Sequence, residues 1–515
     1  MINIPLRLSR GAAFAALLAT FSPAVPGAQA AVAAPQTESI SPAEIVLFPF
    51  DHQSLPFNKG LQLSLVEGRK HARQDPLHPN KPVLGIGQPG DPDFPRAYFC
   101  GTVIKVKETY RMWYTGHDGK KRQVCYAESR DGLAWEKPKL GLVEYNGSRA
   151  NNLVLLDGDR SAHAAIALVL HDPDDPDPSR RYKMLREDAV AGVSWKIFAA
   201  VSADGLRWKS LAGGQPVNAS QWEPSGLVRF NGAYYINAHS NAIRHPLPGA
   251  HKRTMQTFVS YDFENWTKAA HLSFRRDNVP PRPPTDFEGH RGPQVHLGAS
   301  LWRRGNVVLG FYGMYDNPTN DRRTSVCDIG LIVSNNAVNF REPIPDFKIV
   351  PSFEEPDRAE PRLTQGQAFE NIGDRTIFYY GIWTEVNRNG PTGVRIATWP
   401  RDRLGFYSPG LDIADAHCIS SPLSPVNAEA RVYVNASGLG PDTRLQVELL
   451  DEQFRPLAGY TAAECAPFAA ESGFRLPVTW KGRQTLAGLK RPLRVRVNFV
   501  GRDPHKARLF AIYLE

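Results

Sequence analysis

Ser129-Arg130-Asp131-Gly132-Leu133-Ala134-Trp135 decides how this chain is read, because the phrase recurs. It returns as Ser202-Ala203-Asp204-Gly205-Leu206-Arg207-Trp208. It returns again, altered, as Ser260-Tyr261-Asp262-Phe263-Glu264-Asn265-Trp266 and as Ser334-Asn335-Asn336-Ala337-Val338-Asn339-Phe340. Each copy follows a short β-branched or aromatic run such as Val124-Cys125-Tyr126-Ala127. A unit recurring every several dozen residues marks a stacked or radial repeat. Within the phrase the Asp side chain caps its own turn, the Gly tolerates positive φ and the Trp packs between sheets. The phrase is therefore structural, and it reports architecture rather than chemistry.

Working outward from it, five units align. Their second strands are the clearest: Tyr110-Arg111-Met112-Trp113-Tyr114, Arg181-Tyr182-Lys183-Met184-Leu185, Ala233-Tyr234-Tyr235-Ile236, Val307-Val308-Leu309-Gly310-Phe311-Tyr312 and Thr376-Ile377-Phe378-Tyr379-Tyr380. Turn residues of Gly, Asn or Asp type precede three of them, which are hairpin signals. Five units of four short strands predict an all-β chain that closes into a five-bladed β-propeller over residues 45–407. The repeats stop near Tyr407, and Ser408-Pro409-Gly410 reads as a boundary. Period-two alternation beyond it predicts a C-terminal antiparallel β-sandwich over 408–515.

Arg7 and Arg10 precede the apolar run from Ala12 to Phe21, and Ala28-Gln29-Ala30 fits a small-residue cleavage site. Residues 1–30 thus have the layout of a secretory signal. Residues 31–44 read as a flexible leader, and the expected address is secreted or periplasmic, with no membrane anchor after cleavage. The formal charge is +9, and removing Arg7 and Arg10 leaves about +7. No basic stripe concentrates that charge, which argues against nucleic acid as a partner. There are five cysteines. Cys418 and Cys465 are equally compatible with a disulfide or with buried thiols, and no C-x-x-C spacing offers a metal or redox site.

In a propeller the innermost strands border a central channel, so polar residues at their mouths converge. Those strands are expected near Arg96, at Ser161-Ala162-His163, at Gln221-Trp222-Glu223, from Asp286 through Gln294 to His296, and at Gln365-Gly366-Gln367. Such a ring mixes carboxylates, amides and imidazoles with aromatic faces, which suits an oligo- or polysaccharide partner. Glycosidic cleavage needs a protonated acid and a second carboxylate. Glu223, between Trp222 and Pro224, occupies the apolar setting a general acid needs. Asp286 and Glu288 alternate around Phe287 and are the next candidates. Asp51 follows an apolar run and is expected either to begin the strand that closes the ring, as base or nucleophile, or to cap a turn. Trp222, Arg96, His163, His290, Gln294, His296 and Gln367 are the substrate-binding candidates. No cofactor is expected beyond a structural cation in the channel, for which the histidines give no ligand spacing. Glu187-Asp188, at the end of a second strand, is expected to face solvent.

Taken together, Tyr110-Arg111-Met112-Trp113-Tyr114, Cys125-Tyr126-Ala127-Glu128-Ser129-Arg130-Asp131-Gly132 and Trp135-Glu136-Lys137-Pro138 resemble glycoside hydrolase families 32 and 43, and more closely secreted bacterial proteins similar to the family 32 N-terminal domain. The resemblance spans roughly residues 45–407. It implies glycoside hydrolysis, with the family's general acid falling on Glu223 and its first-strand Asp on Asp51. No Asn-Asp-Pro-Asn-Gly motif is present, and Ser161-Ala162-His163 stands where an Arg-Asp-Pro triplet would open a unit. The resemblance leaves the family's middle acidic residue unassigned, and a carbohydrate-binding propeller without catalysis is the alternative it leaves open.

Overall fold

The structure is a computed structural model. It describes residues 44–70, 82–158, 160–189, 195–217, 223–240, 253–276, 293–319, 321–353, 362–383, 393–411, 413–424, 429–489 and 492–515. The signal and leader segments lie outside the described residues. So do Trp222, Asp286, Glu288 and His290. Residues 40–515 form one compact unit. The fold is all-β: among the described residues the only helical turns are short 3-10 segments, and no helix is long and apolar enough to cross a membrane.

Five antiparallel units follow one another. Unit 1 contains Arg96–Val106, Thr109–His117 and Arg122–Ser129, with a single bridge from Glu128 to Glu136 in place of a fourth strand. Unit 2 contains Ile166–His171, Tyr182–Ala189, Trp195–Ser202 and Arg207–Ser210. Unit 3 contains Glu223–Phe230, Ala233–Ser240, Thr254–Ser260 and Thr267–Phe274. Unit 4 contains Gln294–Arg304, Val307–Asp316, Val326–Ser334 and Lys348–Val350. Unit 5 contains Leu363–Ile372, Arg375–Ile382 and Arg395–Pro400. The second strands are near-continuous apolar runs because sheets cover both of their faces; Val307 to Tyr315 is buried throughout.

The first, inner strand of each unit lies against the inner strands of its neighbours, and the last lies against the first. Thr102 Oγ1 accepts from Val169 N at 2.9 Å, tying unit 1 to unit 2. Gln367 lies opposite Thr102 in a parallel pairing of units 5 and 1. Its Oε1 accepts from Leu227 N and Leu301 N at 3.0 and 3.1 Å, and its Nε2 donates to Leu301 O. The expectation that Gln367 binds substrate is therefore corrected: its amide atoms are committed to the backbones of units 3 and 4. The inner strand of unit 2 also begins at Ile166, later than Ser161.

The recurring phrase builds the same turn four times. In the first copy Gly132 N donates to Ser129 Oγ at 2.9 Å, Leu133 N and Ala134 N donate to Asp131 Oδ1 at 2.8 Å, and Trp135 Nε1 donates to Gly132 O at 3.1 Å. The fourth position has φ near +73° at Gly132 and +79° at Gly205, and it stays left-handed at Phe263 (+70°) and Ala337 (+60°) where Gly is lost. The carbonyl at this position also staples sheets together. Gly132 O accepts from Tyr379 of unit 5, and Gly205 O from Trp113 of unit 1, each at 2.8 Å.

Two sheets follow. One contains Gly473–Pro477, Val432–Ser437, Arg508–Leu514, Gly405–Pro409 and Leu61–Leu65; the other contains Phe57–Lys59, His417–Ile419, Arg494–Val500 and Arg444–Leu450. Both contribute to one apolar core around Val434, Val447, Trp480, Val497 and Ile512. The expected boundary at 408 needs correction, because the N-terminal strands Ile45–Leu47, Phe57–Lys59 and Leu61–Leu65 pair within these sheets. Ring closure is corrected too. The outer strand of unit 5 is Arg69–Lys70, paired with Ala397 and Thr398, and no closing strand begins at Asp51. All five cysteines are free thiols.

Candidate functional site

The hairpin register fixes which residues share an end of the ring. Arg96 lies opposite His117, Ile166 opposite Glu187, Glu223 opposite His239, Gln294 opposite Tyr315 and Leu363 opposite Ile382. These ends, one from each unit, lie together at one end of the five inner strands. Just below it, four inner strands slip register, between Tyr98 and Thr102, Pro224 and Gly226, His296 and Ala299, and Gln365 and Phe369. Bulges re-aim side chains beside functional sites.

The bulge in unit 4 has a traceable consequence. Leu297 and Gly298 take φ of +63° and +88°, and Leu297 N then donates to His239 Nδ1 at 2.6 Å. A neutral imidazole that accepts at Nδ1 carries its proton on Nε2. That nitrogen lies 3.2 Å from Glu223 Oε2. Burial, with the Arg253 charge adding to it, holds the His239 pKa well below the ordinary imidazole value, so the ring is neutral; its Nε2 is buried close to Glu223 without making a hydrogen bond to it.

A second carboxyl at this end, that of Glu187, feels the Glu223 charge. Glu187 is only 3% exposed, and its Oε1 has no hydrogen-bond partner among the described residues. Burial raises its pKa well above the ordinary value; the charge of Glu223 raises it further, and Arg122 opposes the shift. The expectation that Glu187 faces solvent is thus corrected: it is a buried carboxyl coupled to Glu223. Cys100 reports the same cluster. Burial pushes its thiol up to about 12, and Arg122, Glu187 and Glu223 all act on it.

Aromatic faces line the other side. His296 stacks on Trp383 (centroids 5.2 Å, 11°) and on Tyr315 (5.7 Å, 22°), and the Arg362 guanidinium sits 4.4 Å from the Trp383 ring. Arg96 and Arg122 lie 4.6 and 5.5 Å from the Tyr98 ring. Of the sequence candidates, Arg96, Glu223, Gln294 and His296 share this end. His163 has an exposed ring off the axis, beside Gln123. Among the described residues no three His, Cys, Asp or Glu side chains are placed to hold a metal ion.

Asp51 is elsewhere. It is fully buried in a turn, where it accepts from Ser54 Oγ, from Asn335 Nδ2 at 2.8 Å and from Arg341. Asn335 follows Ser334, which pairs with Val308 at the end of unit 4 remote from Gln294 and Tyr315. Its candidacy as base or nucleophile beside Glu223 is corrected; it caps a turn. The residues missed from sequence are Glu187, His239, Tyr315 and Trp383. The first three sit at the end of a second strand and Trp383 directly follows one, and pairing each second-strand end with its inner-strand start would have found them.

No family model matches the chain. Two uncharacterized proteins of Mycobacterium tuberculosis, from strains CDC 1551 and H37Rv, are 30% and 31% identical to it over 137 residues. That stretch is 25% of this chain and 39% of theirs, so the chain spans about two fifths of the length of these curated relatives. Among solved structures, the chain is similar to glycoside hydrolases. One, from work describing GH130 mannoside phosphorylases and glycoside hydrolases that target β-1,2 mannosidic linkages in Candida mannan, is 13% identical with a TM-score of 0.42, over 65% of this chain and 95% of its own. A glycosyl hydrolase from Bacteroides ovatus is 13% identical with a TM-score of 0.41, over 66% and 95%. A thermostable family-43 glycoside hydrolase is 14% identical with a TM-score of 0.39, over 61% and 90%.

Proposed function

We propose that the five units are the blades of a five-bladed β-propeller, that the C-terminal sheets form a β-sandwich, and that the end of the ring holding Glu187 and Glu223 is the active site of an exported glycoside hydrolase. One observation carries this reading. Glu187 of unit 2 is buried at the same end of the ring as Glu223 of unit 3, and both burial and the Glu223 charge favour its protonated form. A protonated carboxyl next to a second carboxylate is the pair that glycosidic cleavage requires.

In this reading Glu187 gives its proton to the glycosidic oxygen as the C–O bond breaks. Glu223 serves the other face of the sugar, taking a proton from the attacking water or attacking the anomeric carbon itself. His239 is a positioning residue whose neutral, buried ring packs against the Glu223 carboxyl, with Nε2 3.2 Å from Oε2. Arg96 and Arg122 bring positive charge to sugar hydroxyls, and the stacked His296 and Trp383 rings supply an aromatic wall. The test is turnover of a panel of aryl pyranosides and furanosides. Glu187→Gln and Glu223→Gln are each expected to lose about 10²–10⁴-fold in kcat while keeping the wild-type circular dichroism spectrum. A wild-type protein that cleaves nothing in the panel, or Gln variants at full rate, would overturn the reading.

A further inference from the structure

A cavity of about 420 Å³ opens between units 1 and 2 at the same end of the ring as Glu187. Two strands wall it, and both also feed the carboxyl pair. In Arg122–Ser129, the Arg122 charge acts on Glu187, while its chain neighbours Lys121 and Gln123 line the cavity. In Tyr182–Ala189, Glu187 turns to the carboxyl pair, while Arg186 and Asp188 line the cavity. Side chains alternate across a strand, so the cavity stands one strand's thickness from the proposed bond-cleaving groups.

Its chemistry is specific. Arg186 and Asp188 are paired at 2.8 Å, setting a polar charge pair in the wall. Tyr145 is half-buried in the wall and held by its hydroxyl on Asp118 at 3.0 Å. The exposed ring of His163 stands at the edge, anchored through its own carbonyl, which accepts from Arg186 at 2.9 Å. Lys121 and Arg186 are set against Glu144, Asp157 and Asp188. This near-balance of charge does not favour an ion of either sign. Paired donors and acceptors around an aromatic ring match a neutral polyhydroxylated ring, and the volume lies within the ~300–1,000 Å³ of small-molecule sites.

We infer that this cavity is a second sugar-binding subsite, occupied by a neutral sugar residue of the same glycan that is cut at Glu187 and Glu223. The inference rests on the hydrolase reading, and it makes the substrate a chain of several sugars rather than a simple glycoside. The experiment titrates intact Glu187→Gln protein calorimetrically with arabino-, xylo- and manno-oligosaccharides of one to six units. In at least one series, chains of three or more units are expected to bind about tenfold more tightly than the monosaccharide. Tyr145→Ala and His163→Ala are expected to abolish that gain, and Tyr145→Phe to preserve it. His163→Ala leaves the backbone contact to Arg186 in place, and its circular dichroism spectrum is compared with the wild type to confirm the fold. Affinity independent of length in every series, or a gain that survives both alanine variants, overturns the subsite. Length-dependent binding alongside a wild-type protein that cleaves none of these chains would keep the subsite and remove the hydrolase reading. Cleavage without the length-dependent gain would remove the subsite alone.

Discussion

Glu187 sits in a conflict between stability and chemistry. The folded chain binds its proton more tightly than the unfolded chain does, because burial disfavours the carboxylate and the Glu223 charge adds to the effect. The contribution of such a group to folding is fully present below the ordinary carboxyl value of 4.5 and is lost as pH rises through the raised value. A glutamine is neutral at every pH. Glu187→Gln is therefore expected to melt a few degrees above the wild type at pH 8, with the difference shrinking toward zero at pH 4.5, while activity is lost at both. Paired thermal melts across that range check it; a Gln variant less stable than the wild type at pH 8 would contradict the buried protonated acid. The same residue shows what was legible in the sequence. Glu223, Arg96, Gln294 and His296 open inner strands, and strand starts can be read from polar residues ahead of apolar runs. Glu187 ends a second strand beside Asp188, and its burial follows only from the packing of unit 3 against unit 2.

At the scale of the element, the recurring turn was readable because its chemistry is local: a serine, an aspartate and a residue at positive φ lie within a few positions of one another. The staple it makes across sheets is not local, and glycine substitutions separate the two contributions. A Cβ on Gly132 would stand 2.3 Å from Ile372 Cδ1 and 2.7 Å from the Tyr379 hydroxyl, whereas at Gly232, also left-handed at +80°, nothing lies within 4 Å. Gly232→Ala is expected to cost about 1–2 kcal/mol from backbone strain alone. Gly132→Ala adds overpacking of about 1–3 kcal/mol to a similar strain. Urea denaturation of the two variants measures the difference; equal losses would mean that the turn holds its own strand without bracing unit 5. The closing strand was missed for a related reason. Arg69–Lys70 is only two residues long, too short to carry a period, and its place in unit 5 is set by a partner more than three hundred positions away.

For the whole molecule, the N-terminal segment decides how the ring and the C-terminal sheets behave together. Ile45–Leu47 pairs with Arg508–Leu514, and Arg69–Lys70 completes unit 5, so one short stretch belongs to both. Charged contacts run along the same seam: Arg304 of unit 4 meets Asp402 at 2.7 Å, and Tyr513 donates to the same carboxylate at 2.9 Å. Asp51 lies in this seam, bound to Asn335 and Arg341 of unit 4 by a turn that leads from one C-terminal-sheet strand to the next. Removing one member of a buried pair costs about 3–5 kcal/mol, and less when a partner reaches solvent; Arg341 is 29% exposed. Asp51→Asn, which keeps the shape and loses the charge, is expected to cost about 2–3 kcal/mol. Its urea midpoint should fall with the slope unchanged, in one transition reported alike by tryptophan fluorescence and circular dichroism. Turnover at 25 °C should equal the wild type, because the turn lies at the end of the ring remote from Glu187 and Glu223. Two separated transitions would show that the seam does not couple ring and sheets, and a collapse of turnover in folded protein would return Asp51 to the catalytic candidates.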